Sequence, residues 1–184
     1  MNVYDFDKTI YRDDSTVDFF LFCIKTHKKT LLSLPKTIFY GAGYLLGVYE
    51  KTTFKQVFFK FLTFLSDTDE SVAQFWLQNQ HKIKKWYIEK SEPTDIIISA
   101  SPEFLLAPVC SHARLIGSRV DSKTGRFEGK NCYGKEKVAR LHEQLPHCVI
   151  SEFYSDSLSD APLAKLAEKA YIVKGNKIIA WPES

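Results

Sequence analysis

Two aspartates, Asp5 and Asp7, lie two residues apart at the end of a short apolar run, Val3-Tyr4, with Phe6 between them. Carboxylates this close repel each other unless a cation lies between them or one keeps its proton. Such a pair suits chemistry in which one acid attacks as a nucleophile while the other carries a proton. Ser99 closes a second apolar run, Ile96-Ile97-Ile98. Asp156 and Asp160 follow a third, Val149 to Tyr154, and Lys137 stands near the start of a helical pattern. Each has a plainer reading alone: Asp5, Asp7, Asp156 and Asp160 as turn, capping or solvated acids, Ser99 as an N-cap, Lys137 as surface. Their common position is what sets them apart. All fall where a strand passes into a helix, and in an open α/β sheet those ends face one crevice.

Phosphoryl transfer would use all of them. A carboxylate can attack phosphorus and form an acyl-phosphate, which divides hydrolysis into two easier steps. A phosphate monoester is itself anionic, so an anionic nucleophile needs Mg²⁺ and a lysine to offset repulsion. Asp5 and Asp156 with a backbone carbonyl would make a hard oxygen ligand set of the kind Mg²⁺ takes.

The elements around these residues are readable from periodicity. Val3, Tyr4 and Phe6 form a buried strand that brings Asp5 and Asp7 to its end, where the turn can re-aim Asp7. Asp13-Asp14-Ser15 starts a helix through Ile24. Phe54, Val57, Phe58, Phe61, Leu62 and Leu65 recur at helical spacing, and Ser66-Asp67 begins a further helix carrying Val72, Phe75, Trp76, Ile83 and Trp86. After Ser91-Glu92-Pro93 the pattern alternates. Asp95–Ser99 is a buried strand, and a helix starts at Pro102-Glu103. Leu115–Val120 is a strand joined through Asp121–Gly125 to Arg126–Glu128 as a hairpin. Lys135–Leu145 is a helix and Val149–Tyr154 a strand. A helix follows through Leu163–Lys169, then Tyr171–Val173 and Ile178–Trp181 as a last hairpin. Strands alternating with helices predict a doubly wound, mostly parallel, Rossmann-like sheet. The helical block after the first strand predicts an insertion over 15–90, with 1–14 and 91–184 forming the α/β core.

Composition narrows the partners. The 184 residues carry a net charge of +3 and no long basic run, which argues against nucleic acid. The block 15–90 is lopsided, with 11 Lys/Arg against 6 Asp/Glu and ten of the 14 Phe. Aromatic and basic together, it admits peripheral contact with an anionic membrane, although a Phe stripe is more simply a core. The stretch Leu31–Val48 approaches bilayer-spanning length but contains Lys36, Pro35 and three glycines, so a buried or interfacial helix is expected. The four cysteines are far apart and the five histidines lack ligand spacing. Reduced thiols and a cytoplasmic protein without a secretory signal are expected.

With these residues in view, the chain resembles the haloacid dehalogenase-like phosphatases, in the branch that includes the phosphoserine phosphatases. Asp5-Phe6-Asp7-Lys8-Thr9 matches that family's DxDx[TV] motif, and Ile96-Ile97-Ile98-Ser99 its apolar strand ending in Ser/Thr. Gly134-Lys135-Glu136-Lys137 matches its motif-three lysine: Lys137 is preferred because Leu141 falls four residues on, with Lys135 the alternative. Asp156-Ser157-Leu158-Ser159-Asp160 matches its acidic pair. The resemblance implies Asp5 as nucleophile and Asp7 as general acid/base whose backbone oxygen meets Mg²⁺. It further implies phosphate binding by Thr9, Ser99, Ala100 and Lys137, and metal binding or orientation by Asp156 and Asp160. Block 15–90 would be the cap. The expected substrate is a small phosphorylated metabolite. The alternatives are a membrane-surface lipid phosphatase of the phosphatidylglycerophosphatase type and a non-catalytic phospho-ligand module. Ser99-Ala100-Ser101-Pro102-Glu103 departs from the Ser-Gly-Gly of phosphoserine phosphatases, and Asp14 stands where they carry a Glu. Both departures argue against phosphoserine.

Overall fold

The computed structural model describes residues 1–182, excepting the side chain of residue 51. Strand β1 (Asn2–Tyr4) runs through the middle of a six-stranded sheet of order β3-β2-β1-β4-β5-β6. It pairs in parallel with β2 (Ile96–Pro102) and with β4 (Ile150–Ser155), Val3 lying opposite Ile96 on one side and Phe153 on the other. β3 (Arg114–Ser118) and β5 (Ala167–Lys174) extend the parallel sheet, and β6 (Lys177–Ala180) closes it antiparallel. Strands covered on both faces read as unbroken apolar runs. That explains Ile96-Ile97-Ile98: Ile96 and Ile98 join Val3 and Phe153 in one core, while Ile97 joins Tyr4 in another.

A short α6 (Glu103–Leu106) follows β2, and the first of these cores is closed by α7 (Lys135–Gln144) and α8 (Ala161–Ala164), through Leu141 and Leu163. The second is shared with the helices inserted between β1 and β2: α1 (Ser15–Thr26), α2 (Leu34–Leu45), α3 (Lys51–Phe58), α4 (Thr68–Asn79) and α5 (Lys85–Lys90). Phe19, Phe59, Phe61 and Phe75 are almost wholly buried there, in edge-to-face and tilted contact. The Phe stripe is therefore core. Removing one such ring would cost about 3–5 kcal/mol.

Several elements differ from the sequence reading. The stripe 54–65 is α-helical only to Phe58 and then tightens into a 3₁₀ turn over Phe59–Phe64. A three-residue period stacks i and i+3, and the pairs Phe58/Phe61 and Phe59/Leu62 are thereby all buried. The next helix is likewise broken, α4 giving way to a 3₁₀ turn before α5. The helix expected through Lys169 stops at Ala164, because Glu152 pairs with Lys169 across β4 and β5 and sheet pairing overrides local propensity. β3 ends at Ser118, and the expected hairpin reduces to a single bridge, Val120 to Phe127. Its turn instead clasps the helical block: Gln56 Nε2 donates to Gly125 O at 3.1 Å and Thr68 Oγ1 to Ser122 O at 2.8 Å. Gly125 (φ +67°) packs so closely that a Cβ would lie 2.1 Å from the Phe59 carbonyl oxygen.

The stretch 31–48 is largely exposed rather than buried, with Ser33 and Thr37 turned inward. It forms a 3₁₀ turn and α2, whose outward residues are exposed. Among the described residues no helix is long and apolar enough to cross a membrane. All four cysteines are free, and three are buried.

Candidate active site

The order β3-β2-β1-β4 puts a topological switch between β1 and β4, where connections leave in opposite directions and a crevice opens at the strand ends. Asp5 follows β1, and its N–H donates to Tyr154 O of β4 at 2.8 Å. The turn after it passes through Lys8 in the left-handed region (φ 58°), an unfavourable conformation for a side chain with a Cβ. Buried Lys84 supports that turn, donating to Lys8 O at 2.5 Å and Gly175 O at 2.7 Å. The turn separates the two acids, so Asp7 reaches different partners from Asp5.

Asp5 is nearly buried and shares one cation with Asp160. Lys137 Nζ donates to Asp5 Oδ1 at 2.6 Å and to Asp160 Oδ2 at 2.7 Å, and is itself 2% exposed. Lys135 is exposed, so the helix start selects Lys137 for the cavity. Gly134, the N-cap residue before α7, has a φ of 57° that favours glycine. Thr9 Oγ1 approaches the other Asp5 oxygen at 3.4 Å. Ser155 Oγ donates to Asp160 Oδ2 at 2.8 Å, and the buried Asp160 Oδ1 has no hydrogen-bond partner among the described residues. Asp156 stands beside them on the loop after β4.

Asp7 is held by two donors: Ser15 N–H to Oδ1 at 2.7 Å and Ser101 Oγ to Oδ2 at 2.5 Å. One donor heads the inserted block and the other ends β2, so both segments fix this carboxylate. Ser99 is wholly buried, and its Oγ accepts from Ser101 N–H at 3.1 Å. Ala100 O accepts from Lys55 Nζ at 2.9 Å and Ser118 Oγ at 3.0 Å. Lys55 also reaches Asn131 Oδ1 at 3.0 Å, tying α3 to the sheet's edge of the crevice.

All eight residues singled out from sequence thus lie in one region. Asp5, Asp7, Ser99, Ala100, Lys137, Asp156 and Asp160 line one cavity of about 310 Å³, and Thr9 lies behind Asp5. The sequence reading missed Lys55, Asn131, Ser155 and the role of Ser101. Ser101 stood beside a chosen residue, but a lysine on the polar side of an amphipathic helix carries no signal that it bridges two segments.

Burial raises the pKa of three acids in the cavity. Burial pushes the Asp5 carboxyl up to about 7, Lys137 opposing and Asp160 adding. Burial and then the Asp14 charge push Asp7 up to about 6, against hydrogen bonds from Ser101 and Ser15. Burial also raises Asp156, with Lys8 opposing. For Lys137 burial favours the neutral amine, but Asp5 and Asp160 outweigh it and raise its pKa.

The model of the haloacid dehalogenase-like hydrolases matches residues 3–165. The chain belongs to that family. Protein CicA of Caulobacter vibrioides is 36% identical over 86 residues, a match covering 41% of this chain and 39% of that protein. The chain therefore spans well under half the length of this relative. Among solved structures, a protein of unknown function from Bordetella pertussis Tohama I superposes with a TM-score of 0.72 at 17% identity, covering 92% of this chain and 87% of that one. A phosphoserine phosphohydrolase-like protein from Francisella tularensis subsp. tularensis SCHU S4 does so with 0.53 at 16% identity, covering 92% and 86%. At these identities the likeness is one of fold.

Magnesium, which this hydrolase family implies, fits the residues present. Five aspartates (Asp5, Asp7, Asp14, Asp156 and Asp160) and three lysines (Lys8, Lys55 and Lys137) line the cavity, and a buried carboxylate oxygen, Asp160 Oδ1, has no hydrogen-bond partner among the described residues. Among the described residues no three His, Cys, Asp or Glu side chains gather into a cage. Mg²⁺ would rely on one or two carboxylates, a backbone oxygen and water, its usual surroundings.

Proposed function

We propose that this hydrolase is a Mg²⁺-dependent phosphatase that cleaves a phosphomonoester through an aspartyl-phosphate on Asp5. The observation that carries the reading is the division of labour between two neighbouring acids. Asp5 faces a buried ammonium, and Asp7 is held apart from it by Ser15 and Ser101.

In the first step an Asp5 carboxylate oxygen attacks phosphorus and the bond from phosphorus to the ester oxygen breaks. The departing oxygen takes a proton from the Asp7 carboxyl, which Ser15 N–H and Ser101 Oγ hold in place. In the second step Asp7, now a carboxylate, takes a proton from water. The water oxygen attacks phosphorus, the bond to Asp5 breaks, and inorganic phosphate leaves. Lys137 offsets charge on Asp5 and the transferring group, while Ser99 and the Ala100 backbone border the phosphate position. Asp5, Asp156 and the Asp7 backbone oxygen would hold Mg²⁺ and Asp160 would orient it; when bound, the ion supplies charge neutralisation between nucleophile and phosphate. Block 15–90 acts as the cap over this chemistry.

The cap side of the cavity is mainly apolar, with Val17, Tyr44, Phe54 and Phe58, while Thr16 and Lys55, whose ammonium donates to Ala100 O and Asn131 Oδ1, add polar groups. Asp14, which replaces the phosphoserine-binding Glu, is engaged as the N-cap of α1, accepting from Val17 N–H at 3.0 Å. Both features favour a phosphorylated metabolite with an uncharged leaving group over phosphoserine.

Hydrolysis of a small aryl phosphate, with Mg²⁺ and with chelator, beside the Asp5→Asn protein, tests the reading. Mg²⁺-dependent turnover that vanishes in the variant is expected. Turnover that survives Asp5→Asn overturns the nucleophile assignment. Absence of both turnover and Mg²⁺-dependent beryllium fluoride binding overturns the phosphatase reading.

A further inference from the structure

Helix α2 is oriented against expectation. Its outward residues at helical spacing are Ile38, Phe39, Ala42, Leu45 and Leu46, and the chain before and after adds Leu32 and Val48. Leu32, Ile38, Phe39, Leu45, Leu46 and Val48 are between 64 and 83% exposed. A water-facing helix surface ordinarily carries the polar residues. The orientation is fixed from within. Tyr40 stacks on Tyr49 with centroids 4.7 Å apart, and Tyr44 on Phe54 at 5.7 Å. At Gly41 a Cβ would already be 3.2 Å from the Phe54 ring. The inner face is thus committed to α3 and the turn before it, and α2 cannot roll its apolar face inward.

Charge supplies the second observation. From 19 to 49 the chain has no Asp or Glu and four lysines, Lys25, Lys28, Lys29 and Lys36, all exposed. An apolar helix face bordered by lysines and free of acids is the pattern of an element lying in the surface of an anionic bilayer. It is a poor self-association surface, because a two-fold contact would bring the same lysine-bordered patch from both copies together with no acid in it to pair.

We propose that the outer face of α2, with Leu32 and Val48, docks this protein on an anionic lipid bilayer. The inner face of the same helix contributes Tyr44 to the catalytic cavity, so docking would set the cap against the membrane surface. The inference does not depend on the phosphatase reading and is tested without turnover.

The experiment is co-sedimentation of the full chain with vesicles of phosphatidylcholine alone and of equimolar phosphatidylcholine and phosphatidylglycerol, at low and high salt. Binding to the anionic vesicles, weakened by salt, is expected. Leu45→Gln with Leu46→Gln should weaken partitioning by at least about tenfold, since both exposed side chains lose their apolar insertion. Lys28→Gln, Lys29→Gln and Lys36→Gln should each weaken it about fivefold. Aryl phosphate hydrolysis should stay unchanged in all of these variants, which touch nothing in the cavity. Failure of the wild type to bind anionic vesicles at low salt overturns the proposal, as does undiminished binding by the leucine double variant. A dimer in ultracentrifugation that the double variant abolishes also overturns it, in favour of a second copy. Binding without hydrolysis supports docking while removing the phosphatase reading, so the two failures are distinguishable.

Discussion

Replacing Asp5 by Asn removes one charge and almost no volume from a cavity where burial already opposes that charge. The Asp5 carboxyl is pushed up to about 7, whereas in the unfolded chain an aspartate titrates near about 4. Between those values the folded protein holds a proton that the unfolded chain has lost. Stability therefore falls as pH rises through this window, and the whole loss is present above about 7. About three pH units set an upper bound of about 4 kcal/mol. Asn recovers only part of this. Lys137 keeps Asp160 at 2.7 Å and can face the amide oxygen, while the amide nitrogen turns to Thr9 Oγ1, which then accepts instead of donating. Half the bound, about 2 kcal/mol, corresponds to about 4–8 °C in Tm for a chain of this size. Thermal melts in chelator should show the variant above the wild type by that amount at about pH 8, shrinking to about a third at about pH 5. Mg²⁺ should narrow the gap by stabilising the wild-type carboxylate, and hydrolysis should be absent throughout. A variant melting several degrees below the wild type at about pH 8 would refute the reasoning, because attraction to Lys137 would then exceed the cost of burial.

Lys137→Met should behave oppositely, leaving Asp5 and Asp160 buried without a cation. A loss of about 3–5 kcal/mol in urea unfolding is expected together with loss of turnover. Ser101→Ala removes a hydrogen bond that lowers the Asp7 pKa, so the limb of the rate profile set by Asp7 should move up from about 6, by about one unit. An unmoved limb in kcat against pH would show that this hydroxyl does not act on Asp7. Gly125→Ala forces a Cβ against the Phe59 carbonyl oxygen in a left-handed backbone, and should cost about 1–3 kcal/mol in thermal melts. An unaltered Tm would mean that the loop does not clasp the helical block tightly.

Strand identity was legible because both faces of this sheet are covered. Ile96-Ile97-Ile98 has no alternation, and only a strand sandwiched between two cores gives such a run with β-branched residues. Helix starts were legible where a side chain does the capping, as Asp14 does for α1 and Asp67 for α4. Where the outcome is decided by a partner distant in sequence, local pattern failed. Ala167-Glu168-Lys169 has ordinary helix formers, and only pairing with β4 makes it a strand. The stretch 54–65 has a helical stripe whose last turn is tightened by the packing of its own phenylalanines.

The site divides along the same line. Asp5, Asp7, Ser99, Lys137, Asp156 and Asp160 were recognisable because each is fixed by its own strand end or helix start, and the sheet order then brings those ends together. Lys55 and Asn131 were not, since their contact exists only once α3 folds over Ala100. The exposed face of α2 lies between these cases. Its apolar spacing is plain in the sequence, but the side that faces water is set by Gly41 and Gly43, which are small enough to let the Phe54 and Tyr49 rings approach. Periodicity gives the faces of a helix, and a contact across the fold decides which of them is left uncovered.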